Sequence, residues 1–124
     1  LFRKYLDYEL NDRMSNIIDE LTEILEQRKA ASTNESYVAN LHAQGINKIL
    51  EKVGEEAIET IIAAKDHDKA IDQSKEAVIH ETADLWFHTM VMLSHLDLEP
   101  RKVLEELEKR FNISGLEEKA ARQN

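Results

Sequence analysis

The apolar residues of this chain recur every three or four positions and nowhere alternate, a periodicity that restricts it to helices. Ile17, Ile18, Leu21, Ile24 and Leu25 form a first stripe. Tyr37 and Leu41 form a short second one, preceded by Ser36, whose hydroxyl suits an N-cap, and closed by Gly45. Ile46, Ile49, Leu50, Val53, Ala57, Ile58, Ile61 and Ile62 carry a third stripe to about Lys65. The charged, aperiodic run from Asp66 to Gln73 reads as a connection. A long helix follows from about Ser74 to Leu96, with Ala77, Val78, Leu85, Thr89, Met92, Leu93 and Leu96 expected to face inward. Pro100 suits the first turn of another helix, on which Val103, Leu104 and Leu107 repeat. Asn112-Ile113-Ser114-Gly115 predicts a stop, with a short exposed helix from Leu116 onward. The expected fold is all-α, a helical bundle with two long central helices.

One domain is the natural content of 124 residues. Residues 1–13 read as an N-terminal extension or cloning segment ahead of Met14, with Ser15 or Asn16 as cap of the first stripe, and 14–124 as the domain. The 25 acidic and 16 basic residues leave a net charge of −9, which argues against a nucleic-acid partner. There is no cysteine, hence no disulfide, thiolate nucleophile or Cys-ligated metal. No apolar run approaches the ~18 residues of a membrane span and no signal-peptide core opens the chain, so the expected location is cytoplasmic, with no membrane partner. The helix over 46–64 is apolar on more than one side, which predicts a homodimer or a dimer of dimers.

Two acidic clusters lie inside apolar helical sequence. Gly54-Glu55-Glu56-Ala57-Ile58-Glu59 puts Glu56 and Glu59 three apart and Glu55 and Glu59 four apart, on one face. Glu81-Thr82-Ala83-Asp84 repeats the i,i+3 pair beside Leu85, Trp86 and Phe87. Two helices laid antiparallel with these faces opposed would gather four anions, which are tolerated inside a protein when paired or bound to metal. Oxygen-only ligands suit Mg²⁺, with Mn²⁺ as substitute; the plain alternative is four solvated acids that never meet. A ferritin-like di-iron site needs Glu-x-x-His, which is absent, and the zincin-like His80-Glu81 lacks its second histidine. His88 shares the face of Glu81 and Asp84, either as an orienting or substrate-touching group or as a helix-interface histidine. Mid-helix Gly54 costs about 1 kcal/mol against alanine, so close helix approach or ligand access is expected there.

Glu56-x-x-Glu59 followed by Glu81-x-x-Asp84 resembles the ExxE…ExxD signature of the all-α, MazG-type nucleoside triphosphate pyrophosphohydrolases. Within that superfamily, Ser36-Tyr37, Gly45, Lys52-Val53-Gly54-Glu55-Glu56-Ala57, Ala63-Ala64, Asp84-Leu85 with His88, and Ser114-Gly115-Leu116-Glu117-Glu118-Lys119 with Arg122 resemble the phosphoribosyl-ATP pyrophosphatase family of histidine biosynthesis. The resemblance spans about Leu21 to Arg122. It departs at Val38, where threonine is expected, and in a somewhat long 65–74 connection. The cysteines of a fused phosphoribosyl-AMP cyclohydrolase are absent.

The resemblance implies a MazG-like bundle completed by dimerisation, and Mg²⁺-dependent hydrolysis of phosphoribosyl-ATP to phosphoribosyl-AMP and pyrophosphate. It implies Glu56, Glu59, Glu81 and Asp84 as metal ligands, and Glu55, Glu56 and Glu59 as the catalytic acids, with Glu55 as base or water-orienting group. Arg28, Ser36, Tyr37, Lys48, Lys52, His88, Lys119 and Arg122 are the expected substrate contacts. Simpler roles stand beside these: helix salt bridges for the lysines, an ion pair for Arg28, a cap for Ser36 and core packing for Tyr37. The competing readings are a related dUTPase-type pyrophosphohydrolase and a non-catalytic acidic dimerisation module.

Overall fold

The computed structural model describes the backbone of residues 17–123 and the side chains of 17–111. Among the described residues all regular structure is helical: α1 over 17–29, α2 (Tyr37–Gln44), α3 (Ile46–Lys65), α4 (Asp72–His95) and α5 (Pro100–Gln123). Residues 1–13 and the expected caps Ser15 and Asn16 lie outside them.

Local chemistry sets the boundaries. Ser36 is extended (φ −134°, ψ 120°), and its Oγ accepts the amide of Ala39 at 3.2 Å, satisfying one orphan donor of α2. Gly45 closes α2 and opens α3 as a one-residue joint; its amide donates to the Leu41 carbonyl, and its φ of +94° with ψ 179° is a conformation that essentially only glycine adopts. Between α3 and α4, Asp68 Oδ1 accepts the Ala70 amide at 2.9 Å, and the Ser74 hydroxyl lies 2.7 Å from the Asp68 carbonyl and 2.8 Å from that of Ile71. α4 ends in a paired 6→1 and 5→2 motif, Leu98 N–H to Leu93 O (2.8 Å) and Asp97 N–H to Ser94 O (3.1 Å), with Asp97 left-handed at φ 56°.

The short connection folds α3 and α4 into an antiparallel hairpin, the most extensive contact among helices α2 to α5. Among the described residues only one end of that hairpin is covered. α1 and α2 pack there, and the core joins Leu25, Val38 and Leu41 to Ile49 of α3 and Met90 and Val91 of α4. Val38, which departs from the family pattern, is thus a core residue, 2% exposed. Lys29 of α1 donates to the Ser94 carbonyl and pairs with Glu26 at 3.0 Å; Arg101 at the start of α5 binds Asp19 of α1. Beyond the core the hairpin carries Ile58, Ile61, Ile62, Ile79 and Trp86 on its surface, each more than half exposed.

Two expectations are corrected, and of the two alternatives for Gly54 one is removed. The inward face of α4 is made by His88, Met90, Val91 and Ser94, whereas Ala77 and Leu96 are exposed and Val78, Leu85, Thr89, Met92 and Leu93 are half-buried. The expected face presumed a layer along the whole helix, but α1 and α2 cover only its C-terminal part. α5 runs through Asn112–Gly115 without a stop; one glycine weakens a running helix by about 1 kcal/mol, which does not end it. No close approach explains Gly54 within one chain, since a Cβ there would meet nothing within 4 Å.

Candidate metal centre

Helical periodicity places Glu56 and Glu59 one turn apart on α3, and Glu81 and Asp84 one turn apart on α4. The hairpin brings these turns level, just past the end of the core. Glu56, Glu81 and Asp84 each offer an oxygen, and the three oxygens lie within 4.8 Å of one another. Glu56 is 9% exposed. Its Oε2 and that of Glu81 are buried without a hydrogen-bond partner. Burial raises the Glu56 carboxyl above the ordinary carboxylate range, and the neighbouring Glu59 raises it further. Glu81 is raised too, by desolvation and again by Glu59. Glu59 therefore stands against both helices' acids.

No lysine or arginine among the described residues forms an ion pair with this group. Lys48 is bound to Glu51 (3.4 Å) and Lys52 to Glu55 (3.1 Å), both one turn along α3. Lys75 is bound to Asp72, and Lys102 and Arg110 to acids of α5. Among the described residues the basic groups in contact with it are histidines: His80 Nε2 lies 3.3 Å from Asp84 Oδ2, and His88 Nδ1 lies 4.0 Å from Glu56 Oε1. Crowded, half-dry carboxylates with orphaned oxygens and no protein cation fit a hard divalent ion held by oxygen ligands.

The remaining expected site residues surround this centre unevenly. His88 is buried, 6% exposed. Its Nδ1 lies 2.8 Å from the Asp84 carbonyl, which has no proton to give, so Nδ1 is the donor. Its Nε2 shares a hydrogen with the Tyr37 hydroxyl at 2.8 Å. Tyr37 stacks on Phe87 (6.4 Å) and lies at the rim, in the field of Lys52, Glu55, Glu56 and Asp84. Burial nonetheless acts first on its hydroxyl, raising the pKa. The Ser36 hydroxyl is engaged as the cap of α2. Glu55 is outside the group of three and faces Lys52, whose ammonium it holds above its usual range. Arg28 is exposed in the last turn of α1, and the side chains of Lys119 and Arg122 lie outside those described.

One residue of the centre escapes sequence reasoning. Thr60 Oγ1 lies 2.7 Å from the Glu56 carbonyl and 3.0 Å from the Glu81 carbonyl, on the opposite helix. Helical threonines commonly return to the carbonyl four residues back, so nothing in the sequence distinguishes this one.

A helical hairpin with two acidic pairs on facing turns defines the class: a small all-α protein whose carboxylate site is suited to a divalent cation. The profile of the phosphoribosyl-ATP pyrophosphohydrolase family matches residues 18–111, and the chain belongs to that family. It is accordingly a hydrolase of histidine biosynthesis acting on phosphoribosyl-ATP. Among the described residues no helix is long and apolar enough to cross a membrane.

Proposed function

We propose that the chain hydrolyses phosphoribosyl-ATP to phosphoribosyl-AMP and pyrophosphate in the cytoplasm, with Mg²⁺ held by Glu56, Glu59, Glu81 and Asp84. The observation that carries the metal reading is the group of three carboxylate oxygens within 4.8 Å, with no lysine or arginine among the described residues paired to it. When bound, the ion screens the substrate's phosphates from these acids, polarises the attacked phosphorus and activates water. The chain's own residues supply position and charge, which is most of what phosphoanhydride hydrolysis asks of a protein. Glu55, exposed beside the centre, orients water or accepts its proton. Lys48 and Lys52 exchange their helix acids for phosphate oxygens, and Arg28, Lys119 and Arg122 supply further positive charge. Tyr37 meets the substrate at the rim while His88 behind it holds the hydroxyl; Ser36 sets the turn that presents Tyr37.

The working unit in this reading is a homodimer, or a dimer of such dimers. The support is the end of the hairpin left uncovered by the described residues, where Ile61 is 67% and Ile79 71% exposed; several large apolar side chains exposed on one helical hairpin are surface that a second copy would bury. Light scattering at micromolar concentration is expected to show an oligomer, and a monomer would defeat this part.

Pyrophosphate release from phosphoribosyl-ATP, dUTP and dATP, each with Mg²⁺ and with EDTA, tests the activity. Release is expected from phosphoribosyl-ATP only, and only with Mg²⁺. Glu56→Ala and Asp84→Ala should each abolish it while helical circular dichroism is kept; activity surviving both changes would refute the ligand assignment.

A further inference from the structure

Four helical threonines have described side chains: Thr22, Thr60, Thr82 and Thr89. Each hydroxyl lies 2.7 Å from the carbonyl four residues back. Three of these bonds stay within their own helix. Thr60 alone among them reaches a second helix, where the carbonyl it meets belongs to Glu81. The two carbonyls that share its single proton are thus those of Glu56 and Glu81, two of the three residues whose carboxylates converge.

We propose that Thr60 is a positioning residue for the cation centre: its hydroxyl pins the main chains of Glu56 and Glu81 to one point and sets the separation of their carboxylates. The two side chains repel each other, and among the described residues no lysine or arginine pairs with them to offset that repulsion. A hairpin free to slide or splay would relieve it by moving the acids apart. The hydroxyl opposes that movement where it begins, because it bridges backbone to backbone at the level of the acids. It touches neither substrate nor ion. Its effect belongs to the outer sphere, where partners of metal ligands set geometry and, when lost, weaken metal affinity by about 10- to 100-fold.

The inference rests on the metal reading of the site, and its test separates the two. Mn²⁺ binding to the full-length chain, followed by electron paramagnetic resonance without substrate, is measured for wild type, Thr60→Val, Thr60→Ser and Thr89→Val. Thr60→Val keeps the shape and removes the bridge; it should weaken Mn²⁺ binding about tenfold, the lower end of such losses, and raise the Mg²⁺ concentration for half-maximal activity in proportion. Thr60→Ser keeps the hydroxyl and should restore most of the affinity. Thr89→Val loses only an intrahelical bond and should bind like wild type. No Mn²⁺ binding by wild type would overturn the metal reading and this inference with it. Wild-type binding retained in Thr60→Val, or Thr60→Ser as weak as Thr60→Val, would overturn the role of Thr60 alone. If Thr60→Val does not fold, the Thr60→Ser and Thr89→Val comparisons still decide: the inference requires both near wild type, and a tenfold loss in either refutes it.

Discussion

Replacing Glu56 by glutamine should stabilise the metal-free protein and destroy its response to metal. The carboxylate is 9% exposed, is pushed toward its protonated form by burial and by Glu59, and has an Oε2 with no partner. Two unit charges at the 4.8 Å limit of this group repel by about 3.5 kcal/mol at an effective dielectric of 20, and by about 0.9 kcal/mol in water. Because the Asp84 side chain is 40% exposed, the lower end is the relevant one, and about 1 kcal/mol is the expected gain. For 124 residues that raises the melting temperature by about 4 °C. Wild type gains instead from the ion: free Mg²⁺ at a hundred times its dissociation constant adds about 2.7 kcal/mol, about 10 °C on the same scale. Melting followed by circular dichroism at one protein concentration, in EDTA and in excess Mg²⁺, should show the order reversing. Glu56→Gln melts above wild type in EDTA and below it in Mg²⁺. A variant less stable than wild type in EDTA would refute the claim that this acid is held against its own repulsion.

Two glycines with equally empty surroundings should respond in opposite ways. At both, an added Cβ meets nothing within 4 Å, but Gly45 has φ +94° whereas Gly54 lies within α3. Gly45→Ala should destabilise by about 1–3 kcal/mol through backbone strain alone. Gly54→Ala should stabilise by about 1 kcal/mol yet lower activity under the proposed reading, in which substrate or a second copy would use the space beside Glu55; urea midpoints and initial rates check both. His42 supplies a pH dependence. Burial lowers its pKa below 6.5, and His95 and Lys29 lower it further while Glu26 opposes them. The fold thus favours neutral His42, so its contribution is complete above about pH 6.5 and is lost as pH falls. One proton limits the slope to about 1.4 kcal/mol per pH unit. His42→Gln should flatten the urea midpoint between pH 7.5 and 5.5 relative to wild type (pH values set about the ordinary histidine pKa). A slope unchanged by that substitution would exclude His42 as its source.

What was legible in the chain was what helical periodicity and a short connection determine. Residues three apart share a face, and a connection of a few residues between two long stripes leaves little choice but an antiparallel pair. That is why Glu56, Glu81 and Asp84 were readable together. The same logic fails where a third element decides. The buried face of α4 depends on where α1 and α2 lie across it, so Met90, Val91 and Ser94 are inside while Leu96 is 48% exposed. His88 was placed on the acidic face without any sign that Tyr37, 51 positions earlier, would take its other nitrogen. Thr60 was invisible because its first bond is one that most helical threonines make. Ser114-Gly115 was misread because a breaker's effect depends on the helix around it, and α5 continues to Gln123.

The charge balance separates two kinds of acid that look alike in the sequence. Glu26 on α1 is bonded to Lys29 and to the Ser94 hydroxyl, and both hold its carboxyl below the ordinary range. Glu56 on α3 is raised by burial and by another acid. Both are helical glutamates facing α4; they differ in burial, which acts first on Glu56, and in the ammonium ion beside Glu26. A lysine near Glu56 would relieve the repulsion and turn the group into a structural ion pair like that of Glu26. Lys52 and Lys48 lie one and two turns earlier on α3, but they are engaged by Glu55 and Glu51. Among the described residues the centre is thereby left with carboxylates and neighbouring imidazoles, a set that an external cation would stabilise. The net charge of −9 is therefore not uniform surface acidity. Part of it is a local excess that no lysine or arginine among the described residues neutralises, and in the proposed reading that excess would supply the driving force for taking up a divalent ion.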